Sequence, residues 1–399
     1  MTINEASYAY GAQKSSIREI AAYGGARKAE IGAENVFDFS LGNPSIPAPE
    51  AVKQSILRAM EIPPTQLHGY TPANGLPSVR EAVAASLNRR FGTSYGAGDL
   101  YLTCGAAASL SISFHALVNP GDEVIVIAPY FPEYRVWIET AGATCVEVMA
   151  DLSTFQIDVA AVAAAITERT KAVIINSPNN PSGVAYSEKT LSELAELLTR
   201  KSGELGYPIF LLSDEPYREI AFDGKTIPYP AAFYPNTLTC YSFSKALSVP
   251  GERIGYVAVN PACDHAKELV PMCGQVSRGI GHNCPSSLIQ LAVAETADDT
   301  ADLKVYETNC GLLYQCLREL GFEVAKPDGT FYIMPKALEE DATAFCRKAL
   351  AYDLILVPCD TFHAPGYFRM AYCIDTEKVK RSLPVIRRFV EETYRHPGR

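Results

Sequence analysis

Four apolar runs in the chain end on residues able to do chemistry: AVIIN runs into SPNNPSG, IFLLS into DEPY, LTCYS into FSK, and VIVIAPY into FPEY. The sharpest segment is SFSKALSVPGERIGY, which sets Lys245 behind Ser242 and Ser244 and places Arg253 eight residues further on, among glycines. A lysine held in a tight turn of small residues is open to desolvation, which favours the neutral amine that condenses with an aldehyde. Hydroxyls and a guanidinium alongside suit a phosphate dianion. A strand-terminal Asp or Lys taken singly is usually a cap or a solvated charge, so only the four endings together carry weight.

These residues can meet only if the runs before them are neighbouring strands. DEVIVIAPYF from Asp122, TKAVIINSP from Thr170, PIFLLSDEPY from Pro208 and TLTCYSFSK from Thr237 are short and rich in β-branched and aromatic residues, which predicts buried parallel strands. Between them, Leu191, Leu194, Leu197 and Leu198 recur at helical spacing and predict a helix over Ser187 to Lys201. This alternation predicts a doubly wound α/β core with a mostly parallel sheet, whose ligands bind beyond the carboxyl ends of the strands. From about Asp302 the pattern changes to a long helical stretch, short strands in GFEVAK, TFYIMPK and YFRMAYC, and a closing helix from Thr376. The expected division is a large domain over 44–300 and a smaller α+β domain from 1–43 and 301–399. The crossings are expected near Asn43-Pro44 and within a helix around residue 300.

At 399 residues the chain has material for two lobes, and 48% hydrophobic with 20% charged residues is the balance of an ordinary globular protein. A formal net charge of -10 repels phosphate backbones and argues against a nucleic-acid partner. The eleven cysteines are scattered, with no C-x-x-C pair and no Cys/His cluster at metal-ligand spacing. They read as reduced thiols of a cytoplasmic protein without a metal site. MTINEASYAY lacks the basic and apolar stretches of a signal peptide, and no apolar window of about 18 residues could span a membrane. A soluble protein with no membrane partner is expected.

In order and spacing, the segments resemble the fold-type I, pyridoxal-phosphate-dependent aminotransferases of class I/II, the group holding the aspartate, aromatic and alanine enzymes. The similarity covers nearly the whole chain: SLGNPS at Ser40, YTPANGLPSVREAVA at Tyr70, TCGAAASL at Thr103, NSPNNPSG at Asn176, SDEPY at Ser213, FSKALSVPGERIG at Phe243, GTFYIMPK at Gly329 and FHAPGYFRMAYC at Phe362. It implies the aspartate aminotransferase-like fold and amino transfer between an L-amino acid, aspartate or glutamate first, and a 2-oxo acid. Aromatic amino acids or alanine are the alternative donors, and a lyase or decarboxylase is the alternative reaction on this scaffold.

The resemblance also implies roles. Lys245 would carry the internal aldimine with pyridoxal 5'-phosphate and act as acid and base, while Asp214 would pair with the pyridinium nitrogen. Tyr217 and Asn180 would hydrogen-bond the cofactor's phenolic oxygen, and Phe131 would stack on its ring. Gly105, Ala106 and Ala107 would open a helix whose amides face the phosphate, joined by Ser242, Ser244 and Arg253. Arg369 would clamp the substrate α-carboxylate with its planar fork, with Gly42 and Asn180 beside it. Tyr70 would reach the phosphate from a neighbouring subunit, making a homodimer with shared sites. Arg278 stands where dicarboxylate-selective members place a distal arginine from the partner, with a plain surface arginine as the competing reading. Two departures are Cys359, where the family commonly has glycine, and His363, where a glycine often follows the phenylalanine. Either could reshape the side-chain pocket, and a plain surface-loop histidine is the competing reading of His363.

Overall fold

In the computed structural model, which describes residue 3 and residues 5–12 and 16–395, the chain passes through twelve strands. They are β1 (Phe37–Asp38), β2 (Leu100–Thr103), β3 (Glu123–Ala128), β4 (Thr144–Met149), β5 (Thr170–Asn176), β6 (Phe210–Asp214), β7 (Thr237–Ser242), β8 (Gly255–Val259), β9 (Tyr332–Ile333), β10 (Leu354–Ile355), β11 (Val357–Pro358) and β12 (Phe368–Ala371). Seven form one sheet in the order β2-β8-β7-β6-β5-β3-β4. The four runs expected to be parallel strands are β3, β5, β6 and β7, and they are. The sheet is mostly parallel, as expected of the doubly wound core. Strands β2 and β8, which were not among the expected strands, pair antiparallel with each other and close the edge beside β7.

The apolar runs are nearly continuous because both faces of the sheet are covered. Val124, Val126, Ile174 and Leu212 pack on one face with Leu110, Ile112 and Phe114 of the helix Ala106–Leu117. Their neighbours Ile125, Ile127, Val173 and Leu211 face the other way, toward Leu191, Leu194 and Leu198 of the helix Glu188–Leu205. Each fully buried Ile or Leu of this kind contributes roughly 1.5–3 kcal/mol relative to an exposed one. The second helix starts where the leucine spacing put it, with the Ser187 Oγ accepting from the Thr190 backbone N–H at 3.1 Å. It runs on past Lys201 because nothing stops it before Gly206, whose φ of 78° supplies the left-handed cap.

The C-terminal quarter builds a separate three-stranded antiparallel sheet, β11-β12-β9, and its β10 pairs in parallel with β1 of the N-terminal segment. Phe322, Phe331, Phe345, Phe368 and Phe389 form one core there with the helices Lys304–Glu319 and Thr376–Val390. The segment around Phe39 is tied to it, since the Phe39 carbonyl accepts from the Ala371 N–H at 2.8 Å. Two expectations fail. GFEVAK is not a strand: only the Glu323 carbonyl bonds toward the sheet, accepting from Lys336 N–H, and Pro327 cuts the run short. Residue 300 lies in a break between the helices Ser287–Thr296 and Lys304–Glu319 rather than inside one helix. No helix among the described residues is long and apolar enough to cross a membrane.

Candidate active site

The carboxyl ends of β5, β6 and β7 open into a cleft of about 320 Å³. Lys245 enters it from the single helical turn Phe243–Ala246, which follows β7 directly and is capped by Ser242, whose Oγ accepts from the Ser244 N–H at 3.2 Å. Its Nζ donates to the Gly42 carbonyl at 2.9 Å, and no carboxylate pairs with it among the described residues. Burial pushes its pKa down to about 8; Cys373 opposes this, while the cations of Arg253 and Arg369 reinforce it. A neutral amine is thereby within reach at ordinary pH.

Asp214, the last residue of β6, is buried. Tyr134 Oη donates to its Oδ2 at 2.5 Å, and Asn176 Nδ2 donates to its backbone carbonyl at 2.8 Å. The other carboxylate oxygen, Oδ1, has no partner among the described residues. Burial raises the carboxyl pKa to about 7, against the Tyr134 hydrogen bond and with help from Glu215. A buried acceptor left open is costly, and a cationic ring nitrogen is the kind of group that would satisfy it. Beside it, Tyr217 Oη donates to Tyr332 Oη at 3.4 Å, and burial holds the Tyr217 phenol well above its usual range.

At the other end of the cleft, Gly105 caps the helix Ala106–Leu117 with a φ of 89°. A Cβ at Gly105 would sit 2.7 Å from Arg253 Nη2, so only glycine lets the guanidinium lie against the helix start. Arg253 donates to the carbonyls of Pro250 at 3.0 Å and Cys104 at 3.3 Å, while the hydroxyls of Ser242 and Ser244 lie 2.7 Å apart. Free first-turn amides, two hydroxyls and a guanidinium make a cradle for a phosphate. With the open Asp214 oxygen and the unpaired Lys245 amine, the residues present fit pyridoxal phosphate.

Arg369 on β12 is only 3% exposed. It donates to Asn180 Oδ1 at 3.0 Å and the Ser40 carbonyl at 2.8 Å, and lies against the rings of Tyr332 and Phe362 at 4.4 and 4.9 Å. Its Nε has no partner, and no ion pair neutralises it among the described residues. A buried guanidinium in this state is prepared for an incoming carboxylate. Gly42 is the close neighbour: a Cβ there would fall 1.8 Å from Tyr332 Oη. The contact seen for Gly42 is its carbonyl with Lys245.

Gly42, Phe131, Asn180, Ala106 and Ala107 thus line the same cleft as Lys245, Asp214, Tyr217, Ser242, Ser244, Arg253 and Arg369, with Gly105 directly behind. Tyr70 does not; it is fully exposed and shares a different cleft, about 620 Å³, with Arg278. Cys359 and His363 do not line the site either. Cys359 is buried among Phe155, Val184 and Met334, and His363 stacks on Tyr130 rather than standing free on a surface loop. The sequence reading missed Tyr134, Asn176, Trp137 and Tyr332, all of which line the cleft. Tyr134 stands three residues after Phe131, a spacing that puts both on one side of a helical turn.

Fold and site together define an enzyme built to hold a phosphate-bearing aldehyde cofactor beside an amino acid. The family model for aminotransferase class I and II matches residues 34–386, and the chain belongs to that family. It is 31% identical to the probable aspartate/prephenate aminotransferase of Aquifex aeolicus, over 90% of this chain and 92% of that protein. Among solved structures, an amino transferase from Eubacterium rectale superposes with a TM-score of 0.95 at 48% identity, covering 98% of this chain and 99% of that one. The aspartate aminotransferase of Thermus thermophilus with maleate gives a TM-score of 0.83 at 28% identity, covering 94% and 97%. The chain is accordingly an enzyme of the transaminase type that uses pyridoxal phosphate.

Proposed function

We propose that this enzyme moves an amino group between an L-amino acid, with aspartate or glutamate favoured, and a 2-oxo acid, and that Lys245 binds the cofactor covalently. The observation that carries this reading is the meeting, in one cleft, of an unpaired lysine, a buried carboxylate with one open oxygen, and a buried arginine without a counter-ion. Pyridoxal phosphate, when bound, supplies the electron sink for the pair released at the substrate Cα. Lys245 Nζ would serve as the base that takes the substrate Cα proton and the acid that gives it back. Asp214 would hold the cofactor's ring nitrogen protonated, Tyr217 and Asn180 would donate to its phenolic oxygen, and Phe131 would stack on its ring. Arg369 fixes the α-carboxylate, which orients the Cα bond to be broken.

The separate cleft shared by Tyr70 and Arg278 supports a homodimer in which both residues complete the partner's site. There Arg278 would meet the distal carboxylate of a dicarboxylic substrate. The large domain over 44–300 then carries the cofactor, and 1–43 with 301–399 carries the substrate clamp. Relatives named as aspartate/prephenate aminotransferases support the dicarboxylate preference. Leu41, Phe131 and Trp137 at the cleft favour the second reading, an aromatic donor.

The test is a scan of half-reactions, in which the purified holoenzyme meets single amino acids without any oxo acid. Aspartate and glutamate should react fastest, each yielding one 2-oxo acid per site. Phenylalanine reacting fastest would overturn the dicarboxylate preference, and released carbon dioxide or an elimination product would overturn transamination.

A further inference from the structure

His363 sits on the stretch between β11 and β12, six residues before Arg369, at the seam where the small sheet's layer meets the large sheet. Its ring lies flat on Tyr130, with centroids 4.7 Å apart and planes 9° from parallel. Nδ1 is 3.2 Å from Glu147 Oε1 on β4, and Nε2 is 3.0 Å from Tyr130 Oη. The same Glu147 oxygen accepts from Tyr130 Oη at 2.6 Å and from Arg135. One residue back, the Phe362 carbonyl accepts from the Tyr130 N–H at 3.2 Å, and the Phe362 ring carries the Arg369 guanidinium. On the far side, Tyr130 stacks on Tyr134 at 6.1 Å and 7°, and Tyr134 is the residue bonded to Asp214. Three near-parallel rings therefore run from the loop that supports the arginine to the residue that fixes the carboxylate.

The backbone argues that this side chain is kept for what it touches. His363 has a φ of 61°, a left-handed conformation that glycine adopts freely and other residues adopt at a cost. A glycine would suit the turn better, yet the position carries an imidazole whose contacts all lie on the opposite side of the seam.

We propose that His363 is a positioning residue for substrate binding: by stacking on the Tyr130 ring, it holds the Phe362 loop so that Arg369 stands at the right distance from Asp214 and Lys245. The proposal rests on Arg369 being the carboxylate clamp. It places the determinant of substrate affinity partly outside the cleft, in a contact no substrate touches.

The experiment compares His363→Gly, His363→Phe and Arg369→Ala in the holoenzyme. Trp137, the chain's single tryptophan, lines the cleft, and its fluorescence is the readout for titrating the holoenzyme with maleate. His363→Gly relieves the backbone, so its Tm should equal or exceed the parent's. Its Kd for maleate and KM for aspartate should nevertheless rise about fivefold, the scale of one lost aromatic contact, while kcat stays within about twofold. His363→Phe keeps the stack and should bind within about twofold of the parent. Maleate affinity in His363→Gly within about 1.5-fold of the parent, or His363→Phe as weak as His363→Gly, overturns the proposal. Should Arg369→Ala leave maleate binding unchanged, the clamp reading falls and this proposal with it. If Arg369→Ala weakens binding and His363→Gly does not, the seam proposal alone falls.

Discussion

The two ends of the cleft are made in different ways. The cofactor end is assembled from consecutive strand termini of one sheet, β5, β6 and β7, and from the start of a helix packed on that sheet. The carboxylate end comes from β12 of a second sheet, and Arg369 reaches the site only because two layers meet across a seam. Parallel ladders fix the first arrangement residue by residue. Side-chain packing fixes the second. The cofactor end should therefore fail in chemistry when altered, and the carboxylate end in affinity.

The largest effect is expected at Lys245. Lys245→Ala should abolish steady-state transamination while still binding pyridoxal phosphate noncovalently, as read by borohydride trapping and equilibrium dialysis; a trapped cofactor in this variant would assign the covalent role elsewhere. Asp214→Ala should lower kcat by roughly 10²-fold or more with the fold intact, the scale of lost electrostatic catalysis. A loss of less than about threefold would mean that another group protonates the ring. Arg369→Ala should instead raise KM for the amino acid by about 10- to 100-fold, the equivalent of one charge-assisted hydrogen bond, and change kcat less. An equal fall in kcat would erase the distinction between the two ends.

Gly105→Ala tests the cradle. Added to a φ of 89°, its Cβ displaces Arg253, so the Kd for the cofactor should rise by roughly tenfold while the KM for amino acid holds. The smallest effect is in pH. Because burial lowers the Lys245 pKa to about 8, the neutral amine should be gained mostly between pH 7.5 and 8.5. Covalent capture of cofactor by the apoprotein should quicken by about threefold over that interval, then level; an ordinary lysine would give about tenfold per unit with no plateau.

Much of the cofactor end was legible because a parallel strand converts sequence order into place. An apolar run ending in Asp214, another ending before Lys245 and a third leading into the turn of Asn180 lie side by side once the strands pair, although Asn176, the last residue of the third, went unread. Tyr134 was not read because its partner, Asp214, is eighty positions away and only the packing of the helix Glu133–Thr140 over the strand ends joins them. Tyr332 belongs to a strand of two residues, too short to show alternation. GFEVAK has the alternation of a strand but makes its burial through Phe322 in the aromatic core, with no ladder to join.

By itself the sequence determined that the central strands run parallel, that helices begin near Ser187 and Thr376, and which residues follow the strand ends, because periodicity is local. The tertiary structure alone decided which oxygen of Asp214 stays open, that Arg369 is buried without a counter-ion, and that His363 faces Tyr130 across the seam. Those depend on how two sheets approach each other, a matter of side-chain packing among residues far apart in the chain, which no local pattern encodes.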